Sequence, residues 1–221
     1  MTSALNKDEI QKLYTAKARL YDWLFSHLLG WEGAMKRFFI KEKYLFPAMK
    51  ILDAGCGSGA ATRALYKAAV RSVISPVTFH GFDFTPAMLD RFKSWLVKNK
   101  IYNIELAVAD VLDMHTLPAS WSGYDLVVAS GLFEYIAKDK LARAIGNLRD
   151  LLKPNGIMVV FISKHTKANR LIQRLWKQAM FAESEVKNAF TDAGFSKIAL
   201  KRLPFPDKYL HDWCYIIEAI K

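Results

Sequence analysis

Three carboxylates draw attention by where they fall. Asp53, Asp83 and Asp110 each follow a short apolar, β-rich run, and the first opens the segment Asp53-Ala54-Gly55-Cys56-Gly57-Ser58-Gly59. Glycines between a strand and a helix let the backbone turn tightly and approach a ligand closely. As a bare pattern, Gly55-x-Gly57-x-x-Ala60 also fits a dinucleotide fingerprint, which leaves an NAD-dependent reductase as an alternative. Asp53 argues against it, because a carboxylate two residues before the first glycine repels a pyrophosphate and attracts an ammonium group. A Walker loop is excluded, since no Gly-Lys-Ser/Thr follows at the required spacing. Asp83, in Phe82-Asp83-Phe84, can accept from both hydroxyls of a ribose. At Asp110-Val111 a carboxylate can accept from an adenine amino group while a neighbouring N–H donates to the ring. Singly, each aspartate fits a cap or a turn. Together they describe a site for an adenosine that carries a cationic amino-acid tail.

These residues need strand ends in register, and the pattern of elements supplies them. Strands are expected at Met49 to Ala54, Val77 to Phe82, Ile104 to Ala109, Asp125 to Ala129 and Ile157 to Ile162. Helices are expected between them at Ala60 to Ala69, Pro86 to Asn99 and Lys138 to Leu152. This βαβ alternation calls for a mostly parallel sheet covered on both faces. A helix from Glu183 to Ala193 stops at Gly194, and the strands Lys197 to Leu203 and Trp213 to Ile220 should pair as an antiparallel hairpin at one edge. Before the sheet, Tyr14, Ala18, Tyr21, Phe25 and Leu28 share one face of a helix. The expected fold is α/β, Rossmann-like and doubly wound. Its seven-stranded sheet is mostly parallel with an antiparallel C-terminal hairpin strand, and an N-terminal helical lid covers it. Residues 1–221 are read as a single domain: 1–47 the lid, 48–162 a cofactor-binding core, 163–182 a basic amphipathic insertion, and 183–221 the C-terminal helix and hairpin.

The ligand that fits the three carboxylates is S-adenosylmethionine. At these same residues the chain resembles the class I S-adenosylmethionine-dependent methyltransferases. The resemblance rests on Asp53 to Gly59, on Asp83-Phe84-Thr85-Pro86-Ala87-Met88-Leu89, on Asp110-Val111, and on Leu151-Leu152-Lys153-Pro154-Asn155-Gly156-Ile157 as the turn before the fifth strand. It covers about residues 48 to 220. Tyr14, Tyr21 and Asp22 are similar to the N-terminal lid of the branch that acts on quinones, phospholipids and other small molecules. The resemblance implies cofactor contacts at Asp53, Gly55, Cys56, Gly57, Gly59, Asp83, Phe84, Met88, Asp110, Val111 and Ser130, with Tyr14 and Tyr21 closing over the methionine end. It implies S-adenosylhomocysteine as the product.

A sulfonium methyl is already electrophilic, so such a protein must chiefly hold a nucleophile in line with the S–CH3 bond and exclude water. A phenol or ammonium acceptor also needs a base. His165, just past strand five, and Glu134, just past strand four, are the catalytic candidates; a solvated loop histidine and a helix-capping acid are the plainer readings. Strand four runs into Ser130-Gly131-Leu132-Phe133 without an Asn-Pro-Pro-Tyr or Asp-Pro-Pro-Tyr, which disfavours amide and adenine N-methylation. His27 and Phe133 are candidate acceptor contacts. Residues 161–181 hold five basic and no acidic side chains, and Leu171, Ile172, Leu175, Trp176, Ala179 and Met180 form one apolar face. Such a helix suits an anionic membrane surface or a greasy, anionic acceptor, with Arg170, Arg174 and Trp176 in contact. It also suits plain packing on the sheet.

The chain's 221 residues, 52% hydrophobic, 24% charged and 13% aromatic, argue against disorder, a collagen-like fibre or a disulfide-stapled miniprotein, and its net charge is +11. Its two cysteines, Cys56 and Cys214, form neither a disulfide framework nor a metal cluster, so no metal and a reducing, cytoplasmic compartment are expected. No export or membrane-spanning segment is expected. The expected activity is methyl transfer by in-line displacement to oxygen, nitrogen or carbon of a small-molecule or lipid-like acceptor. A non-catalytic binding module is the further alternative, and RNA methylation is disfavoured for want of an RNA-binding appendage. The sequence leaves the acceptor and the oligomeric state open.

Overall fold

The computed structural model describes Glu9, residues 30–164, Thr166, Ala179 and residues 181–221. Among these, seven strands form one sheet in the order β3-β2-β1-β4-β5-β7-β6. The strands are β1 (Lys50–Ala54), β2 (Thr78–Asp83), β3 (Ile104–Val108), β4 (Tyr124–Ser130), β5 (Leu152–Ser163), β6 (Lys197–Lys201) and β7 (Cys214–Ile220). Strands β1 to β5 pair in parallel, and β7 runs antiparallel between β5 and β6. The helices are α1 (Trp31–Glu42), α2 (Ala60–Arg71), α3 (Pro86–Lys98), α4 (Leu141–Asp150) and α5 (Glu183–Asp192).

The strands read as continuous apolar runs because both faces of the sheet are covered. Ile51, Leu126, Val128, Val159, Phe161 and Ile216 face α1, α2 and α3, whereas Leu52, Val127, Ala129, Met158, Val160 and Ile217 face α4 and α5. Successive residues alternate between the two layers, as period two requires. Pro86 opens α3 at a position where the missing N–H has no helical partner to lose. The sheet departs from the expected outline inside β5. Its pairing with β4 shifts register between Tyr124 and Leu126, where Lys153 to Gly156 form an extra loop with Asn155 at φ 61°. The turn expected before strand five therefore exists, with the strand continuing through it.

The order reverses at β1, whose neighbours are β2 and β4. A connection from β1 goes to one side and the next half of the chain goes to the other, which opens a crevice above the carboxyl ends of β1 and β4. The glycine loop sits at that point.

Candidate functional site

The loop after β1 is held from several sides. The Cys56 N–H donates to the Phe82 carbonyl at 2.9 Å, and the Gly59 N–H donates to the Cys56 carbonyl at 2.8 Å. Gly55, Gly57 and Gly59 all have positive φ, at 66°, 51° and 90°. A Cβ on Gly55 would lie 2.8 Å from Leu132 Cδ1, and one on Gly59 would lie 2.3 Å from the Phe92 ring. A Cβ on Gly57 would stand 3.3 Å from Met88 Cε and 4.0 Å from Asp83 Oδ2, in the space that a close-lying ligand needs.

Asp83 ends β2 beside that space. Its Oδ2 accepts from the Gly57 N–H at 2.9 Å and its Oδ1 from the Thr85 N–H at 2.8 Å. Burial pushes the carboxyl above its ordinary range, and the N–H groups of Thr85 and Gly57 act in the opposite direction. A carboxylate has about four acceptor directions, so these bonds leave room for a ligand hydroxyl. Asp110, half-buried beyond β3, accepts from the Leu112 N–H at 2.8 Å through Oδ1 and thus also shapes its own turn. Val111 is buried and its carbonyl accepts from Asn147 Nδ2. Phe84 is half-buried and Met88 lies under Gly57. Ser130, at the end of β4, accepts from Trp31 Nε1 at 3.4 Å.

Asp53 differs from expectation. It is 2% exposed, and its Oδ2 accepts from both the Thr62 N–H at 2.9 Å and the Thr62 hydroxyl at 2.6 Å. Burial raises its pKa to about 7 against these bonds, which weakens the case for a fixed anion facing an ammonium. Asp53 instead straps β1 to α2 beneath the glycine loop. Cys56 is likewise structural: its thiol is buried and a Cβ on Gly81 would come within 3.1 Å of its sulfur. Phe133, read as an acceptor contact, is 1% exposed and belongs to the core layer over α4, because its short 3-10 turn directs the ring inward.

Glu134 is also corrected as a group facing the acceptor. It is 2% exposed; Oε1 accepts from the Ser163 N–H at 2.7 Å, and Oε2 has no hydrogen-bond partner among the described residues. Its carbonyl accepts from the Ala179 N–H at 2.7 Å. Burial raises its pKa. Tyr14, Tyr21, His27, His165, Arg170, Arg174 and Trp176 lie outside the described residues.

Sequence reading missed the groups that join α1 to the loop. Arg63, 8% exposed, donates from Nη1 to the Ser58 carbonyl at 2.7 Å and from Nε to Glu32 Oε2 at 2.8 Å. Burial pushes Glu32 up, but Lys67 and Arg63 together outweigh it and hold the carboxyl low. Trp31 meets Phe161 edge-on, with ring centroids 5.8 Å apart. The one sequence signal was an arginine four positions after Gly59 on an otherwise small, apolar helix face. Among the described residues no group of three acidic, histidine or cysteine side chains could hold a metal.

Comparison with known proteins agrees with this arrangement. A family described as a methyltransferase domain matches residues 51–156. The malonyl-[acyl-carrier protein] O-methyltransferase of Halalkalibacterium halodurans is 27% identical over 161 residues, 70% of this chain and 55% of that protein. The chain thus spans little more than half the length of the curated relatives it matches. Among solved structures, magnesium protoporphyrin IX methyltransferase from Synechocystis superposes with a TM-score of 0.71 at 15% identity, covering 98% of this chain and 100% of the other. Phosphoethanolamine N-methyltransferase 2 from Haemonchus contortus gives 0.66 at 15% identity, covering 96% and 57%. The methyltransferase-domain match thus falls on the glycine loop and on the strand ends that carry Asp83 and Asp110, and the solved methyltransferase structures share the fold that brings these residues together.

Proposed function

We propose that this chain binds S-adenosylmethionine across the carboxyl ends of β1 and β2 and transfers its methyl group to a small-molecule acceptor. The observation that carries the reading is the Asp83 carboxylate, fixed by the Gly57 and Thr85 N–H groups beside a glycine whose missing Cβ keeps the space open. When bound, the cofactor supplies an electrophilic methyl group. The residues present fit it: Asp83 would accept from the ribose, the loop from Gly55 to Gly59 would lie against the amino-acid end, and Asp110 with Val111 would border the adenine. A dinucleotide remains the competing ligand for this loop, since Asp83 could accept from the ribose of either, and the titration with NADH decides between them.

The chain's own residues then position the acceptor and exclude water. Trp31 and Ser130 form a wall above β4, and Arg63 holds the glycine loop to α1 through Ser58 and Glu32. Glu134 acts as a positioning residue: through Ser163 N–H and Ala179 N–H it joins the exit of β5 to the end of the basic segment. His165 serves as base where the acceptor carries a proton that must leave. The acceptor is a small or lipid-like molecule with a nucleophilic oxygen, nitrogen or carbon. The H. halodurans relative is named for an O-methyl product on a carrier-bound acyl group, and the H. contortus neighbour for an N-methyl product on phosphoethanolamine. Support for the small-molecule class comes from this shared character.

Incubation of the full chain with methyl-labelled S-adenosylmethionine and a panel of phenols, acyl thioesters, carboxylic acids and phospholipids tests the proposal. Label should enter at least one acceptor, and Glu134→Ala, which removes the acceptor of the Ser163 N–H, should lower kcat more than it raises KM. Binding of cofactor with no transfer to any member would favour the binding module instead.

A further inference from the structure

The connection between β6 and β7 offers a surface that the cofactor reading does not use. Lys201 pairs with Ile216, and Cys214 at the start of β7 pairs with Ser163 at the end of β5. The connection therefore projects from the sheet edge that carries the glycine loop. Its base is firmly held. Leu203 and Leu210 are buried in the layer under α1, at 2% and 0% exposure. Asp207, 1% exposed, accepts at 2.6 Å from both Nε and Nη2 of Arg37 on α1. The Asp207 N–H donates to the Pro204 carbonyl, His211 Nε2 lies 3.1 Å from the Leu203 carbonyl, and Lys164 Nζ donates to the His211 carbonyl.

On this braced base, the outward residues are aromatic and basic. Phe205 is 83% exposed and Tyr209 58%, with Arg202 and Lys208 exposed beside them. The charges along the connection are Arg202, Lys208, Asp207 and Asp212; Asp207 is neutralised internally by Arg37, and Asp212 is exposed at the far end. An exposed phenyl ring in a short connection whose other exposed residues include a phenol and two cations matches the interface of an anionic bilayer. There aromatic rings settle at headgroup depth and each nearby Lys or Arg adds attraction. The net charge of +11 gives a long-range pull of the same sign.

We propose that the connection spanning residues 202–209 docks the chain on an anionic lipid surface, with Phe205 and Tyr209 entering the headgroup layer and Arg202 and Lys208 pairing with lipid phosphates. Docking in this way turns the edge that carries the glycine loop toward the membrane. The inference stands independently of the acceptor's identity and of methyl transfer.

Flotation with vesicles of phosphatidylcholine alone and of phosphatidylcholine with phosphatidylglycerol tests it. The wild-type chain should float with the anionic vesicles at low salt, and progressively less as salt rises. The pair Phe205→Ser and Tyr209→Ser, and separately the pair Arg202→Gln and Lys208→Gln, should each lower the apparent affinity by roughly tenfold or more. Lys98→Gln with Lys100→Gln, at the end of α3, should leave it unchanged, and unchanged thermal midpoints would certify that all variants fold. Absence of flotation, or loop variants that float like the wild type, would overturn the proposal. Retention on an immobilised acidic carrier protein without vesicle binding, lost in the same variants, would assign the surface to a protein partner and overturn the lipid assignment.

Discussion

Asp53 and Asp83 are the same residue type at equivalent strand ends, yet they do different work. Asp83 takes its bonds from the Gly57 and Thr85 N–H groups beside the space that Gly57 leaves open, whereas the Oδ2 of Asp53 takes both of its bonds from Thr62 at the start of α2. The position of Asp53 was legible in the sequence, but its partner was not. Thr62 comes nine residues later, and only the path of the glycine loop brings the two together. The consequence is measurable through pH. The Asp53 pKa rises from its ordinary 3.8 to about 7 on folding, chiefly through burial. Across that window the native state keeps a proton that the unfolded chain has lost, so this group's contribution falls as pH rises, by at most ~1.4 kcal/mol per pH unit. Asp53→Asn retains an acceptor oxygen for Thr62 and does not ionise, so its urea midpoint should gain on the wild type from pH 4 to 7. Parallel midpoints over that range would show that Asp53 ionises as freely folded as unfolded.

At the scale of elements, the glycine loop is determined as much by its floor as by its own residues. Gly59 has φ 90°, and any Cβ there would meet the Phe92 ring of α3 at 2.3 Å. Gly59→Ala combines backbone strain with overpacking and should cost about 2–4 kcal/mol in a denaturation experiment. Adding Phe92→Leu should recover part of that loss, so the double-mutant cycle should show favourable coupling. Additive costs would mean that the ring is not what excludes a side chain. The order and type of the strands and helices were readable because continuous apolar runs and helical periods follow directly from burial. The register shift within β5 was not, because it depends on how Lys153 to Gly156 fit against Tyr124 and Lys221 across the sheet. Phe133 and Glu134 were read as pocket residues from their place after β4, and a single 3-10 turn reverses that reading by burying both.

For the whole molecule, α1 ties the two halves of the ligand edge together. Glu32 reaches Arg63, which in turn holds the glycine loop at Ser58, Trp31 reaches Ser130, and Arg37 reaches Asp207 in the last connection. None of these long-range pairs is visible in sequence spacing. Arg37→Ala would leave the Asp207 carboxylate buried without its counter-ion. Because the Arg37 side chain is 41% exposed and partly screened, the expected loss is about 2–3 kcal/mol, below that for a fully buried pair. A thermal midpoint equal to that of the wild type would remove α1 from the list of elements that brace the edge. The central claim, that this edge is an S-adenosylmethionine site organised by Asp83, is tested most directly by calorimetric titration with S-adenosylhomocysteine, using wild-type chain and Asp83→Ala, with NADH as the competing ligand. The account predicts saturable binding of S-adenosylhomocysteine, a loss of about 1.5–3 kcal/mol in the variant and no heat from NADH. Equal affinity in both chains, or binding of NADH in place of S-adenosylhomocysteine, would contradict it.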